Sequence, residues 1–449
     1  MTTTRNTTHS LHWIIAVLLS VFLGSVVVAW FFLARLNPND YRALIESSLS
    51  NSFGLDIRLG DLSFGWKDGF GIKVDGVEIS ESKEEIPFIH VETFLIRLDP
   101  PNLFRLRLVL CELRLVRPSF LVIKHKGGAY NIPMGLPKST SRKRGLAVLL
   151  SRITVEDGSF HFLDGDRPLP VDVKFANIDG RIEQSVPGHL HFELRYPNPG
   201  NVFHFTGDAS LLRASPNFRA KVEMSRFDLG LVSNLFRGVG KGRGGLAGAA
   251  TGSFEFTTSG VNSEELKNSI QGKGSFEIQD GAILNFNVVK SVLQRITVIP
   301  GLQELLLGGL PLPFQRVLQR NDTAFRWLRG DLTVTPRGQI EINSFALKHA
   351  HYSVEAKGKS DFQGALDIQA RLLLHTEIST FLIERINELA RLSDAGGQLI
   401  VPFVCRGNLS SPRIRPDLVS ITQNVIVTQG SKLVEKGIET LSKLLGGKT

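Results

Sequence analysis

The chain carries one unbroken apolar run, Leu11 to Ala34, and almost everything after it alternates like β-strand. The run contains no Asp, Glu, Lys or Arg, and His12, Ser20 and Ser25 are its notable polar members. As a helix its roughly 24 residues extend about 36 Å, enough to cross a hydrocarbon core of about 30 Å. A secretory signal would have a shorter apolar core and small residues at a cleavage site. Here the run leads into Trp30-Phe31-Phe32-Leu33 without an A-x-A pattern. We therefore expect a transmembrane anchor over residues 11–36, behind a short tail (1–10), rather than a removed signal. Trp13 and Trp30 stand near its ends, where interfacial aromatics belong. Arg5 precedes the span and Arg35 and Arg42 follow it, so basic-residue bias does not by itself favour an outward C-terminal part.

About 410 residues remain, enough for two domains or one elongated one. Phe is abundant at 29, against four Tyr and four Trp. Tyr and Trp need partners for their polar ends when buried, and Phe does not. Such a chain has much surface that never meets water, facing either a core or lipid tails. The formal net charge is +9, which can suit nucleic acid or anionic membrane. The basic residues are scattered, however, and the one cluster, Ser141-Arg142-Lys143-Arg144, sits in a Pro/Ser/Gly-rich stretch that reads as a solvated loop. No nucleic-acid motif is present. Cys111 and Cys405 are far apart and form no CxxC or metal spacing, so they read as buried thiols, with a disulfide as the alternative in an oxidising compartment.

Asn37 to Phe53 predicts a short amphipathic helix, started by Pro38 and Asn39 and stopped by Gly54. Strand signals follow at Asp56–Phe64, Gly71–Ser80, Ile86–Asp99, Leu106–Val116, Ser119–Lys124, Ile153–Leu163, Val171–Glu183, His189–Tyr196, Val202–Leu212 and Phe218–Met224. Few helical stretches intervene, so the strands should be mostly antiparallel. An internal echo links Val155-Glu156-Asp157-Gly158-Ser159-Phe160 with Ile278-Gln279-Asp280-Gly281-Ala282-Ile283, each read as strand, acidic-Gly turn and strand. Residues 237–252 are rich in Gly and Ala and separate a first β region (37–236) from a second (253–415). Gly240, Gly242 and Gly245 match G-x-G-x-x-G, but a β-run follows where a dinucleotide site requires a helix. Helices return at Val288–Leu310 and Ile378–Ser393. A last amphipathic helix within 416–449 carries Leu418, Ile421, Val425, Leu433, Val434, Ile438, Leu441 and Leu445 on one stripe.

Ordered blocks then resemble the AsmA family of bacterial envelope proteins. Gly54 to Phe64 is similar to the family's opening strand pair. Pro87 to Asn131 follows its long strand pattern through Pro101-Asn102-Leu103-Phe104, Arg117-Pro118 and Gly127-Gly128-Ala129-Tyr130-Asn131. Leu266 to Asn285, Thr323 to Gly330 and Val401 to Pro412 resemble three C-terminal blocks, ending in "P-f-x-v-x-G-x-l-x-x-P". The resemblance implies a single-pass inner-membrane protein with its bulk in the periplasm of a Gram-negative bacterium. It also implies an elongated, curled antiparallel β-groove related to bridge-type lipid transfer proteins. Phospholipid and the inner membrane are the partners so implied, with outer-membrane or envelope proteins as further ones. Family members are often longer. Room for about 20 strands at about 4.8 Å gives a sheet of about 90–100 Å.

The fold class expected is therefore mainly β: a transmembrane helix, a long antiparallel sheet forming a groove, and a few capping helices. Alternate side chains on a strand share a face. Phe160/Phe162, Phe203/Phe205 and Phe254/Phe256 thus place two rings each on one face, and with Leu106, Leu108, Leu110, Phe276 and Ile278 they are the candidate lipid-binding lining. The alternative is that these pairs fill a closed core. Catalysis finds no support: neither G-x-S-x-G nor H-E-x-x-H occurs, and no cofactor is expected. His189/His191 and His349/His351, read as strand residues at i, i+2, lack a third metal ligand. Lipid carriage by an apolar groove, or a scaffold that assembles outer-membrane components through open sheet edges, are the two functional expectations.

Overall fold

The computed structural model describes residues 24, 37–65, 71–81, 86–99, 110–126, 130–132, 151–165, 171–198, 200–211, 215–232, 245–296, 301–408 and 411–417. The expected anchor at 11–36, the basic cluster at 141–144 and the last helix beyond 417 lie outside these residues. Among the described residues no helix is long and apolar enough to cross a membrane.

Among the described residues one sheet of seventeen strands organises the chain. They are β1 (Asp56–Gly65), β2 (Gly71–Ser80), β3 (Ile89–Leu98), β4 (Leu110–Lys124), β5 (Arg152–Asp164), β6 (Val171–Val186), β7 (His189–Asn198), β8 (Asn201–Ser210), β9 (Asn217–Asp228), β10 (Gly245–Ser259), β11 (Gln271–Leu284), β12 (Thr323–Thr335), β13 (Gln339–Lys348), β14 (Tyr352–Asp361), β15 (Ala365–Leu374), β16 (Ile400–Asn408) and β17 (Ser411–Pro416). Each strand pairs with the next in chain order. All these pairings are antiparallel except β4 with β5, which run parallel. At about 4.8 Å per strand the sheet is about 80 Å across. The Gly-rich stretch does not interrupt it, because Gly245 to Gly252 already belong to β10.

Two expected turns prove to be bulges. Asp157-Gly158 lies inside β5 and Asp280-Gly281 inside β11, with Asp157 and Asp280 at φ 53° and 46°. Likewise Leu106–Val116 and Ser119–Lys124 are not separate strands: β4 runs through Arg117-Pro118 with Arg117 at φ 47°. Asn177 in β6, Arg226 in β9 and Gly248 in β10 also have positive φ. The left-handed non-glycine residues each shift the side-chain alternation of their strand by one, whereas Gly248 leaves that of β10 unchanged. Thus Val155 pairs with Gly180, Gly158 with Ile178 and Phe160 with Phe175. Odd and even positions on either side of the bulge end on the same face, where a regular strand would have put them on opposite ones.

The registers define that face. A single row crosses Ala250, Ile278, Leu328, Leu347, Val354, Leu372 and Val401 on β10 to β16. All seven are buried. Helices cover this end of the face: α3 (Val288–Leu293), α4 (Leu312–Gln319) and α5 (Thr376–Arg385), with Leu302. Helices α1 (Arg42–Phe53) and α2 (Ser263–Ser269) lie elsewhere. The expected helices at 288–310 and 378–393 are thus present in shorter pieces, including a π-helical turn at Leu305–Gly309. At the other end Ile57, Leu59, Leu62, Val74, Val77 and Val91 form a second core, with Ile45 and Leu49 of α1 against it.

Helix α1 begins after a 3-10 turn at Pro38–Tyr41 and stops at Gly54, whose φ of 70° suits a residue without Cβ. It also covers the edge of β1. The backbone N–H groups of Ile57, Leu59 and Leu62 donate to Ser50 Oγ (3.1 Å), Glu46 Oε1 (2.7 Å) and Asn39 Oδ1 (2.8 Å). Donors that would otherwise invite another strand are thereby occupied. The opposite edge, β17, carries Pro412 and Pro416 with Arg413 and Arg415, residues that also discourage strand addition.

Candidate functional site

Between the two covered ends the apolar face continues over β4 to β9. Its residues include Phe120 and Val122 on β4, Phe160 and Phe162 on β5, Val173 and Phe175 on β6, Phe192 and Leu194 on β7, and Phe203 and Phe205 on β8. The registers place all of them on one side. Neither of the two core clusters extends over β5 to β8, so among the described residues no helix seals this stretch. Most of these side chains are half-buried, Val173 is buried, and Leu194 and Ile182 are exposed.

Contact between the rings knits the surface. Phe175 meets Tyr196 edge-on at 5.5 Å, and Phe203 lies 5.9 Å from Phe227. Phe192 stacks on Phe205 at 5.2 Å, Phe205 on Phe256 at 6.5 Å, and Phe254 on Phe276 at 6.4 Å. Such pairs contribute about 0.5–1.5 kcal/mol beyond area burial.

The candidate lining residues fall as follows. Phe160, Phe162, Phe203, Phe205, Phe254, Phe256 and Phe276 share the apolar face and are half-buried. Ile278 shares it too but is 2% exposed, inside the helix-covered core. Leu106 and Leu108 lie outside the described residues. Leu110 begins β4, opposite Leu98.

Glycines complete the floor. An added Cβ at Gly274 would stand 2.2 Å from Cδ1 of Phe254, and one at Gly330 would stand 2.7 Å from Cε1 of Phe276. Each ring therefore lies flat on the neighbouring strand's backbone, a cross-strand arrangement that shields glycine in a sheet. Sequence reasoning noted the Phe pairs but missed their glycine partners. The signal was there, since Gly272-x-Gly274 has the same two-residue spacing as Phe254-x-Phe256.

The reverse face is polar and crossed by ion pairs. Arg329 pairs with Glu277 at 2.8 Å, Arg371 with Glu355 at 2.6 Å, Arg406 with Asp367 at 3.0 Å, and Arg117 with Glu92. His204 bonds Glu193 at 2.9 Å, and that bond, with Arg195, holds the Glu193 carboxyl below its ordinary range. Burial raises both the Cys111 and Cys405 thiols; both are free and only partly buried. His349 and His351 are not on a strand, as expected from sequence, but in the connection between β13 and β14. Among the described residues no group of three potential metal ligands occurs.

The surface thus offers a broad apolar floor with a polar, ion-paired reverse side. In comparisons with protein-family models, curated proteins and solved structures, nothing matched this chain.

Proposed function

We propose that the chain shields phospholipid acyl chains on its apolar face and supports phospholipid transport between inner and outer membranes, and with it outer-membrane homeostasis. The observation that carries this reading is the division of the sheet into one apolar and one charged face, with no helix among the described residues over the apolar face at β5 to β8. Each acyl CH₂ moved there from water gains about 0.8 kcal/mol. A two-tailed lipid could thus leave a bilayer with its tails dry and its headgroup wet. Carriage of this kind needs no covalent chemistry, so the chain is read as a carrier and not an enzyme. The AsmA-like blocks and the apolar run at Leu11–Ala34 support an inner-membrane anchor and a periplasmic sheet.

The scaffold alternative requires open sheet edges. Side chains of α1 and of the 3-10 turn before it occupy the β1 edge and prolines punctuate β17, which favours carriage over edge-mediated assembly.

The test is site-specific photocrosslinking in cells, with a benzophenone side chain at Phe203, Phe160 or Phe256, and at Thr206 or Lys221 on the reverse face. Phospholipid adducts, identified by mass spectrometry, are expected at the first three positions only. Adducts to protein alone at the apolar positions would move the reading to the scaffold.

A further inference from the structure

A second feature stands apart from the open face. Helix α4 carries Leu312 and Arg316 one turn apart, and Arg320 follows a further four residues on, just past its end. Arg316 and Arg320 are exposed. With Pro313, His349 and His351 they line a cavity of about 220 Å³ at the β13–β14 connection. The one carboxylate lining it, Asp322, already accepts from the Asn285 backbone N–H at 2.5 Å. The backbone N–H of His351 donates to Nδ1 of His349 at 3.3 Å, and the His349 ring stacks on Tyr352 at 4.7 Å. Two guanidiniums and two imidazoles thus converge on one small cavity.

At the start of α4, next to the cavity-lining Pro313, and in the turn before it the chain exposes large apolar side chains. Leu307, in the π-helical turn, is 81% exposed and Leu312 is 69% exposed. The turn is fixed to α4, because Gln315 Nε2 donates to Gly308 O at 3.0 Å and to Leu310 O at 2.8 Å. Apolar tips next to cationic groups suit the boundary between headgroups and acyl chains of an anionic bilayer.

We infer that this surface docks on an anionic phospholipid membrane: Arg316, Arg320, His349 and His351 receive the headgroup phosphate while Leu307 and Leu312 enter the apolar layer. This contact is separate from the face over β5 to β8 and does not require that lipids travel along it.

The experiment uses the full chain held in phosphatidylcholine nanodiscs and measures its capture by vesicles of phosphatidylcholine alone or with about one quarter phosphatidylglycerol. Capture by the anionic vesicles is expected to exceed that by neutral ones by about tenfold or more, given the attraction of two Arg to such a surface. R316Q/R320Q and L307S/L312S should each abolish most of that excess. The single variant R316E, at an exposed position, guards against misfolding of the double variant, with circular dichroism as the control for fold. Capture of folded R316E or R316Q/R320Q at the wild-type level overturns the inference. If millimolar inorganic phosphate abolishes capture and L307S/L312S has no effect, the cavity is a free-anion site and the membrane assignment falls.

Discussion

The ring of Phe254 lies over the backbone of Gly274 on the neighbouring strand, so closely that an added Cβ would stand 2.2 Å from Cδ1. The relationship makes the apolar floor flat: the ring rests on a neighbour with no side chain and stays half-buried instead of standing upright. Replacing Gly274 with Val would force the Phe254 ring off the sheet and away from Phe276. We expect a loss of about 1–3 kcal/mol, as for other overpacked sites, read as a lower urea midpoint. An unchanged midpoint would mean that the ring already samples another position.

Asn287 ties the covered end together. Its side-chain oxygen caps α3 by accepting from the Lys290 N–H at 2.9 Å, while Nδ2 donates to Val317 O at 2.7 Å and Arg320 O at 2.9 Å. Asn287→Ala removes a cap, which costs about 0.5–2 kcal/mol, and leaves buried carbonyls short of a donor, which costs about 1–3 kcal/mol. Asn287→Asp keeps the capping oxygen and loses both donated bonds. Chemical denaturation should therefore show both variants less stable than wild type.

Asp280 holds a φ of 46° inside β11. Glycine adopts that conformation freely and a β-branched residue does not. Asp280→Gly should be neutral or stabilising by up to about 1 kcal/mol, and Asp280→Val should cost about 1–3 kcal/mol. Thermal melts of the two variants that shift in the same direction would argue against a conformational origin.

Burial, then the nearby His351 and Arg320, hold the His349 imidazole below its ordinary pKa of 6.5. The unfolded chain therefore takes up more protons as pH falls through that value. His349 thus contributes stability above about pH 6.5 that is lost as the solution is acidified. Arg316, Arg320, His351, Asp322 and Tyr352 share the cavity and set the local field. Denaturation midpoints measured from pH 7.5 to 5.5 should fall less for His349→Gln than for wild type.

The sheet was legible from alternation alone wherever strands were regular, as in β1, β2 and β8, whose expected bounds lie within a residue or two of those found. It was not legible at Arg117-Pro118, Asp157-Gly158 and Asp280-Gly281. There the residue types that make turns instead make bulges, because flanking strands on both sides hold the chain extended. The Phe-x-Phe pairs announced a shared face, since period-two spacing is sufficient for that. That Ile278 sits under helices, whereas no helix among the described residues covers Phe203, depends on segments distant in sequence, which no local pattern encodes. The His349/His351 pair was misplaced onto a strand for the same reason: two residues apart reads as alternation even across a tight reversal.

The parallel step between β4 and β5 has an arithmetic consequence. In a purely antiparallel ladder of seventeen strands, the first and last would point the same way, and the polypeptide would enter and depart on opposite long margins. One parallel neighbour reverses the parity of everything that follows. The backbone therefore departs β17 on the same margin at which it enters β1, and α3, α4 and α5, which lie in connections along that margin, share it. Strands can be added or removed two at a time without disturbing this, whereas a single added strand would send the departing chain to the other side.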